Sequence, residues 1–283
     1  MIVWITGASS GLGLHTAQAL ARAGHTVIAG ARSFHGDRVE NMHRLPLDVT
    51  DDASAEAFRD AALKIAPSVD AIVHCAGILM LGSCEETTPA EYRRIMDTDF
   101  IGMVRMNRLA LPLMRAQQRG KIVMFSSING LLGIPCQSAY TAAKHAVEGY
   151  AECLSMEVHP FGIQVCLVEP GDHRSGSQAY RFHSAAMGEA SPYAANFADT
   201  TAIIHHDEEH GSDPDRLGDA VAALLKKRRM PLRRRIASPD QKLAVLLHRL
   251  LPGNLNSRIL RGYYFNPKKA ARYRAEEGKA ADL

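Results

Sequence analysis

The chain has 283 residues, 46% hydrophobic and 22% charged, the balance of a soluble globular protein long enough to bury a full core. A net charge of +3 is too mild to imply a nucleic-acid partner. Five scattered cysteines, odd in number and without a CxxC pair, exclude a disulfide framework and fit reduced thiols.

Residues 1–6, MIVWIT, read as a strand from the start, so no leader is expected ahead of the fold, and no apolar run approaches the roughly 18 residues of a membrane span. A helix follows over 11–24, then strands at 25–30 and within 42–49, and a helix over 52–66. The fourth strand lies in 69–77, a long helical stretch covers 88–118 after Pro89, the fifth strand is 120–127, a helix spans 138–160, and the sixth strand is 163–171. Apolar runs alternating with helices predict an α/β fold: a doubly wound, Rossmann-like parallel sheet in a single domain over residues 1–283. Residues 172–212 lack strong periodicity and read as a substrate lid. A helix at 212–228, a seventh strand at 232–237 and a helix at 239–251 complete the chain, the last opening a helical extension over 239–283.

TGASSGLG, residues 6–13, joins the first strand to the first helix. Small residues let the backbone turn sharply, and the helix N-terminus offers free N–H groups and partial positive charge to a pyrophosphate. The alternative is a tight turn with no ligand, which the strand–turn–helix context disfavours. The cofactor set expected here is Gly7, Ser9, Ser10, Gly11, Leu12 and Gly13. The second strand ends AGARS, with Ala31 where NAD sites place an acidic residue and Arg32 next to it. A guanidinium there suits a ribose 2′-phosphate, so NADP(H) is expected in preference to NAD(H), a solvated arginine being the alternative. In LDV, Asp48 is placed to accept from the adenine amino group, with Val49 beside it.

Ser127 ends the fifth strand, thirteen residues before Tyr140. Tyr140 and Lys144 stand four apart in SAYTAAKHA, on one helix face. Carboxyl ends of parallel strands form the ligand crevice, so all three are expected to converge beside the dinucleotide. A cation about 4 Å from a phenol, at an effective dielectric near 20, is worth about 4 kcal/mol, or about three pKa units. That predicts a phenol drawn toward neutrality, where acid–base catalysis works best. Alone, the pair would read as an ordinary exposed Tyr/Lys couple; the serine, the glycine turn and the sheet argue for chemistry.

TGASSGLG, LDV, CAG, the serine at 127, YTAAK and EPG resemble, in order and spacing, the short-chain dehydrogenase/reductase family. YTAAKHAVEG and the LLP near residue 252 resemble its hydroxysteroid/retinol dehydrogenase-like branch. The resemblance implies Tyr140 as general acid in reduction and general base in oxidation, Ser127 bonded to the reacting oxygen, and Lys144 lowering the phenol pKa and holding the nicotinamide ribose. It also implies cofactor contacts from Cys75, Ala76 and Gly77, and from Pro170, Gly171, His173 and Ser175, and a homo-oligomeric assembly.

Three segments depart from the family pattern, one of them PGDHRSG, 170–176, where Ser175 stands in place of the usual threonine and His173 is bulkier and more polar than typical. HCAG puts His74 and Cys75 where asparagines are usual, so His74 must form a different strand-to-neighbour bond, and Cys75 reads as a small buried hydrophobe. MDTDFIG puts Asp99 at the position of the family's fourth catalytic residue, an asparagine. A carboxylate near Lys144 would keep the lysine charged while partly cancelling its effect on Tyr140, which predicts an altered pH optimum.

HHDEEH matches the zinc-peptidase spelling H-x-x-E-H over 206–210, but in an acidic stretch before GSDPD it reads as a solvated lid edge, and no metal is expected. KKRRMPLRRR, 226–235, and KKAARYR, 268–274, read as solvated basic runs, with weak contact to an anionic membrane surface as the alternative. Tyr180, Phe182, Met187, Tyr193 and Phe197 make the lid apolar enough to cover a hydrophobic substrate, though they could equally form lid core or an oligomer contact. The expected protein is cytoplasmic and interconverts a secondary alcohol and a ketone, or an alcohol and an aldehyde, on a bulky hydrophobic substrate such as a steroid. The alternatives are a non-catalytic dinucleotide-binding or regulatory protein and a ketoreductase of acyl thioesters or polyketides.

Overall fold

Alternate residues of the apolar runs turn to opposite sides. Val3, Ile5, Val27, Ala29, Val73, Val123 and Val168 enter one buried cluster; Trp4, Ile28, Ile72, Ile122 and Leu167 enter another. Strands apolar on both sides must be covered on both faces, which is why helices follow nearly every strand.

The computed structural model describes residues 1–37 and 39–281. It begins β1 (Ile2–Thr6), α1 (Gly11–Arg22), β2 (Thr26–Ala31), β3 (Met42–Pro46), α2 (Asp52–Ile65), β4 (Ala71–His74), β5 (Met80–Leu81), α3 (Pro89–Met96), α4 (Gly102–Ala116), β6 (Gly120–Phe125), α5 (Ser138–Glu157) and β7 (Ile163–Pro170). It continues β8 (Phe182–His183), α6 (Ala194–Glu209), α7 (Pro214–Lys226), β9 (Arg233–Ile236), α8 (Pro239–Leu250), α9 (Gly253–Tyr264) and α10 (Pro267–Ala281). Seven strands form one parallel sheet in the order β3-β2-β1-β4-β6-β7-β9, and β5 pairs with β8 apart from it. This is the α/β, Rossmann-like, single-domain fold expected from the pattern of runs.

The register explains the site. Thr6 pairs with Gly30 and His74, His74 with Met124, and Phe125 with Val168, so the carboxyl ends of these strands finish level. The strand order reverses between β1 and β4, the switch point where α/β sheets bind ligands. The glycine turn, Arg32, Cys75–Gly77, Ser127 and Gly171 all follow strand ends on this edge.

Three local features differ from the sequence expectation. The helical stretch at 88–118 is broken by a five-residue π-turn, Asp97–Ile101, between α3 and α4. Residues 172–212 contain helix α6, whose inner residues Thr200, Ala202, Ile203 and Ile204 are buried. Its main partner is α10, far downstream, where His206 stacks on Tyr273 with ring centroids 3.4 Å apart. A helix whose partner is so distant leaves little local periodicity to read. The histidine-rich segment is therefore packing rather than a solvated edge: Asp207 accepts from the Tyr263 hydroxyl at 2.7 Å, and Glu208 accepts from Ser177 at 2.7 Å and pairs with Arg181. Among the described residues, no group of three or more histidine, cysteine or acidic side chains could hold a metal.

The third difference is the basic run. Lys226, Lys227, Arg228, Arg229 and Arg234 are exposed as expected, but Arg233 and Arg235 of the edge strand β9 are half-buried: both pair with Glu169, which is 0% exposed, at 2.9 and 2.8 Å. Arg233 also pairs with Glu148 and Glu152 of α5. Among the described residues, no helix is long and apolar enough to cross a membrane.

Candidate active site

A cavity of about 520 Å³ opens along the carboxyl edge of the sheet. Its floor at one end is the glycine turn. Gly7 has φ +69°, and a Cβ there would lie 2.5 Å from the Ala76 amide nitrogen; one on Gly13 would lie 2.1 Å from the Gly7 carbonyl oxygen. Side chains are thus excluded where the turn packs closest against the Cys75–Ala76 backbone and against itself. Ser10 caps α1 without a side-chain bond, so no serine oxygen occupies the first amides of that helix. A glycine turn opening onto uncapped helix amides fits the pyrophosphate of a dinucleotide.

Ser9, Ser10, Leu12 and Gly13 line this end of the cavity, while Gly11 faces the Tyr180 hydroxyl instead. Arg32 lies on the wall and is exposed. Asp48 and Val49 are on the same wall. The Asp48 carboxylate accepts from the Thr50 amide and hydroxyl at 2.9 and 2.7 Å, and those bonds hold its pKa below the usual range. Cys75, Ala76 and Gly77 continue the wall, with Pro170, Gly171, His173 and Ser175 across from them. Burial pushes the Cys75 thiol well up, so it is an inert thiol. His173 is fixed by its Nδ1, 2.9 Å from the Gly171 carbonyl.

Ser127, Tyr140, Lys144 and Asp99 meet at the centre. Ser127 is pinned as its hydroxyl accepts from the Asn129 amide at 3.2 Å, and Asn129 donates to Gln137 at 2.7 Å. Lys144 is buried on the inner face of α5, donates to the Phe125 carbonyl at 3.1 Å, and places Nζ 5.3 Å from the Tyr140 ring centre. Asp99 projects from the π-turn, fully buried, accepts from the Ile78 amide at 2.8 Å, and faces Lys144 Nζ at 3.2 Å. π-turns recur at functional sites because they re-aim a residue out of the helical repeat.

The electrostatics differ in sign from the expectation for the phenol. Burial pushes the Tyr140 pKa above that of free tyrosine; Lys144 pulls it down, Asp99 pushes it back up, and Ser127 pulls it down. Helical spacing supplies the cation but not the desolvation, and here desolvation wins. Burial raises the Asp99 carboxyl against the pull of Lys144 and the Ile78 amide. Burial alone would lower Lys144, but Asp99 and Tyr140 hold the ammonium above its ordinary value.

His74 has the different bond that its position requires. Its Nε2 meets Asn107 Oδ1 of α4 at 2.8 Å, and burial draws its pKa down to about 4, so it is a neutral N–H donor. Other wall residues were not evident from sequence. Asp172, Asp207, Glu208 and Tyr264 line the cavity beyond Tyr140. The signal for Asp207 and Glu208 lay in HHDEEH, where it resembled a metal motif; Tyr264 had none.

A family model described as short chain dehydrogenase matches residues 1–185. A 3-ketodihydrosphingosine reductase of Bacteroides thetaiotaomicron is 38% identical over 263 residues, spanning 93% of this chain and 97% of that protein. Dehydrogenase/reductase SDR family member 7B of Xenopus laevis is 30% identical over 266 residues, 89% of this chain and 78% of that one. The solved structure of a short-chain dehydrogenase from Streptomyces avermitilis superposes with a TM-score of 0.75 at 31% identity, covering 96% of this chain and 99% of that one. The glycine turn at the switch point and the matched stretch that contains Ser127, Tyr140 and Lys144 agree: the chain belongs to the short-chain dehydrogenase/reductase family and is an NAD(P)-dependent oxidoreductase.

Proposed function

We infer that this enzyme reduces a ketone on a long-chain amphiphilic lipid, with NADPH as reductant, and that 3-ketodihydrosphingosine represents the substrate class. The observation that carries this is the combination, in one cavity, of a protonated phenol and an acidic wall. The Tyr140 phenol, its pKa held up by burial, is protonated at neutral pH and so available to donate a proton to a ketone oxygen. Beyond it, burial together with Glu208 and Asp207 pushes the Asp172 carboxyl up to about 7, a surplus of negative charge that an ammonium beside the ketone would relieve. Ile134, Ile204 and Phe182 supply apolar wall for an alkyl chain. The similar reductase of Bacteroides thetaiotaomicron favours a lipid ketone over the hydroxysteroid or retinol branch.

In this mechanism the turn at Gly7–Gly13 and the α1 N-terminus hold the pyrophosphate, and Arg32 with Ser9 meets the 2′-phosphate. When bound, the dinucleotide supplies the hydride. Ser127 donates a hydrogen bond to the carbonyl oxygen and orients it toward Tyr140. The Tyr140 hydroxyl donates its proton as negative charge develops on that oxygen. Lys144, fixed by the Phe125 carbonyl and Asp99, stabilises the phenolate left behind.

Consumption of NADPH with 3-ketodihydrosphingosine, its N-acetyl derivative, a ketosteroid and an acyl-thioester ketone tests the assignment. The amino ketone is expected to lead, with kcat/KM about tenfold or more above its N-acetyl derivative, because acetylation removes the cation that meets the acidic wall. Faster turnover of the steroid or the thioester, or tighter binding of NADH than NADPH, would overturn it.

Asp99→Asn tests the role of the carboxylate. Asparagine keeps an acceptor for the Ile78 amide but removes the charge that raises the phenol pKa. The phenol pKa should fall. Reduction needs the protonated form, so its alkaline limb should move to lower pH; oxidation needs the phenolate and should gain activity at lower pH. An unchanged pH–rate profile in both directions would contradict the role.

A further inference from the structure

Helix α8 carries its leucines on the outside. Leu243, Leu246, Leu247 and Leu250 follow the spacing of one helical stripe, yet are 53, 51, 36 and 70% exposed. Val245, its one buried residue, points the other way, into the protein. α9 extends the patch with Leu255 and Ile259, both exposed. Between the helices runs a groove of about 170 Å³, bounded by Leu243, Leu247 and Ile259 and floored by Leu132 and Leu260. A contiguous exposed apolar surface of this kind marks an interaction site.

Charge and continuity identify the partner. Across α8 and α9 the exposed Lys242, Arg249, Arg258 and Arg261 stand against a single carboxylate, Asp240. A second copy docked by two-fold symmetry would bring these like charges together. An anionic bilayer would attract them while taking the leucines into the boundary between headgroups and acyl chains. The patch also reaches the active site: Leu132 and Leu260 belong to one apolar cluster with Ile134, Ile204 and Tyr264, which line the cavity. We propose that the α8–α9 face docks the protein on an anionic membrane surface, with the floor of its groove packed against the wall of the cavity. The helices lie on the membrane and do not span it.

The docking is independent of which ketone is reduced, so it is measured without substrate. The full chain is co-sedimented with phosphatidylcholine vesicles and with vesicles of equal phosphatidylcholine and phosphatidylglycerol. It should bind the mixed vesicles, bind phosphatidylcholine weakly, and be released by high salt. Each basic residue at such a surface is worth about fivefold in partition, so Arg249→Glu with Arg258→Glu should weaken binding by more than about tenfold. Leu246→Glu with Leu250→Glu should do the same. All four side chains are exposed, so thermal stability and NADPH binding should be unchanged in both variants. Wild-type protein remaining in the supernatant with mixed vesicles would overturn the proposal, as would variants that bind like wild type. So would a wild-type dimer that the leucine variant dissociates with no change in vesicle binding, which would make the patch a contact between copies.

Discussion

Tyr140→Phe is expected to lower kcat for ketone reduction by about 10²–10⁴-fold, the usual contribution of a positioned proton donor. The ring remains, so its contact with Lys144 at 5.3 Å is preserved. The Lys144–Asp99 pair and the glycine turn do not depend on the hydroxyl. KM and NADPH affinity should therefore change little, and the loss should appear in kcat, as for a group acting in the transition state. Stopped-flow turnover and a fluorescence titration of NADPH measure the two separately. In the wild type, the raised phenol pKa predicts reduction that is flat through neutrality and falls only on the alkaline side, as pH rises through that pKa. A variant retaining more than about one tenth of wild-type kcat would assign the proton to another group.

Arg233→Ala is expected to cause the largest loss of stability. It would leave Glu148 without its arginine and Glu169, fully buried, with Arg235 alone. Burial already pushes the Glu148 carboxyl up even with Arg233 beside it. Removing one partner of a buried ion pair typically costs about 3–5 kcal/mol, because the remaining charge is stranded. In a chain of this length that is roughly a 10 °C fall in Tm. The double variant Arg233→Ala, Glu148→Gln should recover part of it, since the stranded charge is then gone. Glu148 lies one turn beyond Lys144 on α5, and Glu169 directly precedes Pro170, so activity should fall with stability. A loss of less than about 2 °C would show that water, not Arg233, compensates these carboxylates.

The sheet, the glycine turn and the Ser127–Tyr140–Lys144 group were legible because each is a local pattern: apolar runs, a turn between strand and helix, two residues four apart. Asp99 was legible as a carboxylate near Lys144, and the structure puts the two 3.2 Å apart. The direction of the Tyr140 shift was not legible, because it depends on burial created by the whole fold. The Arg233 network was hidden for a related reason: its partners Glu169 and Glu148 lie 64 and 85 residues earlier, so Arg233 read as solvated along with its exposed neighbours in the run. Helix α6 went unread because the surface it buries against is supplied by α10.

That last pairing bears on what holds the acidic wall in place. The sheet and the reacting side chains are complete once β9 has docked, but α6, which carries Asp207 and Glu208 over the cavity, leans on α10. The position of the carboxylates over the cavity thus depends on a helix that takes no part in the sheet.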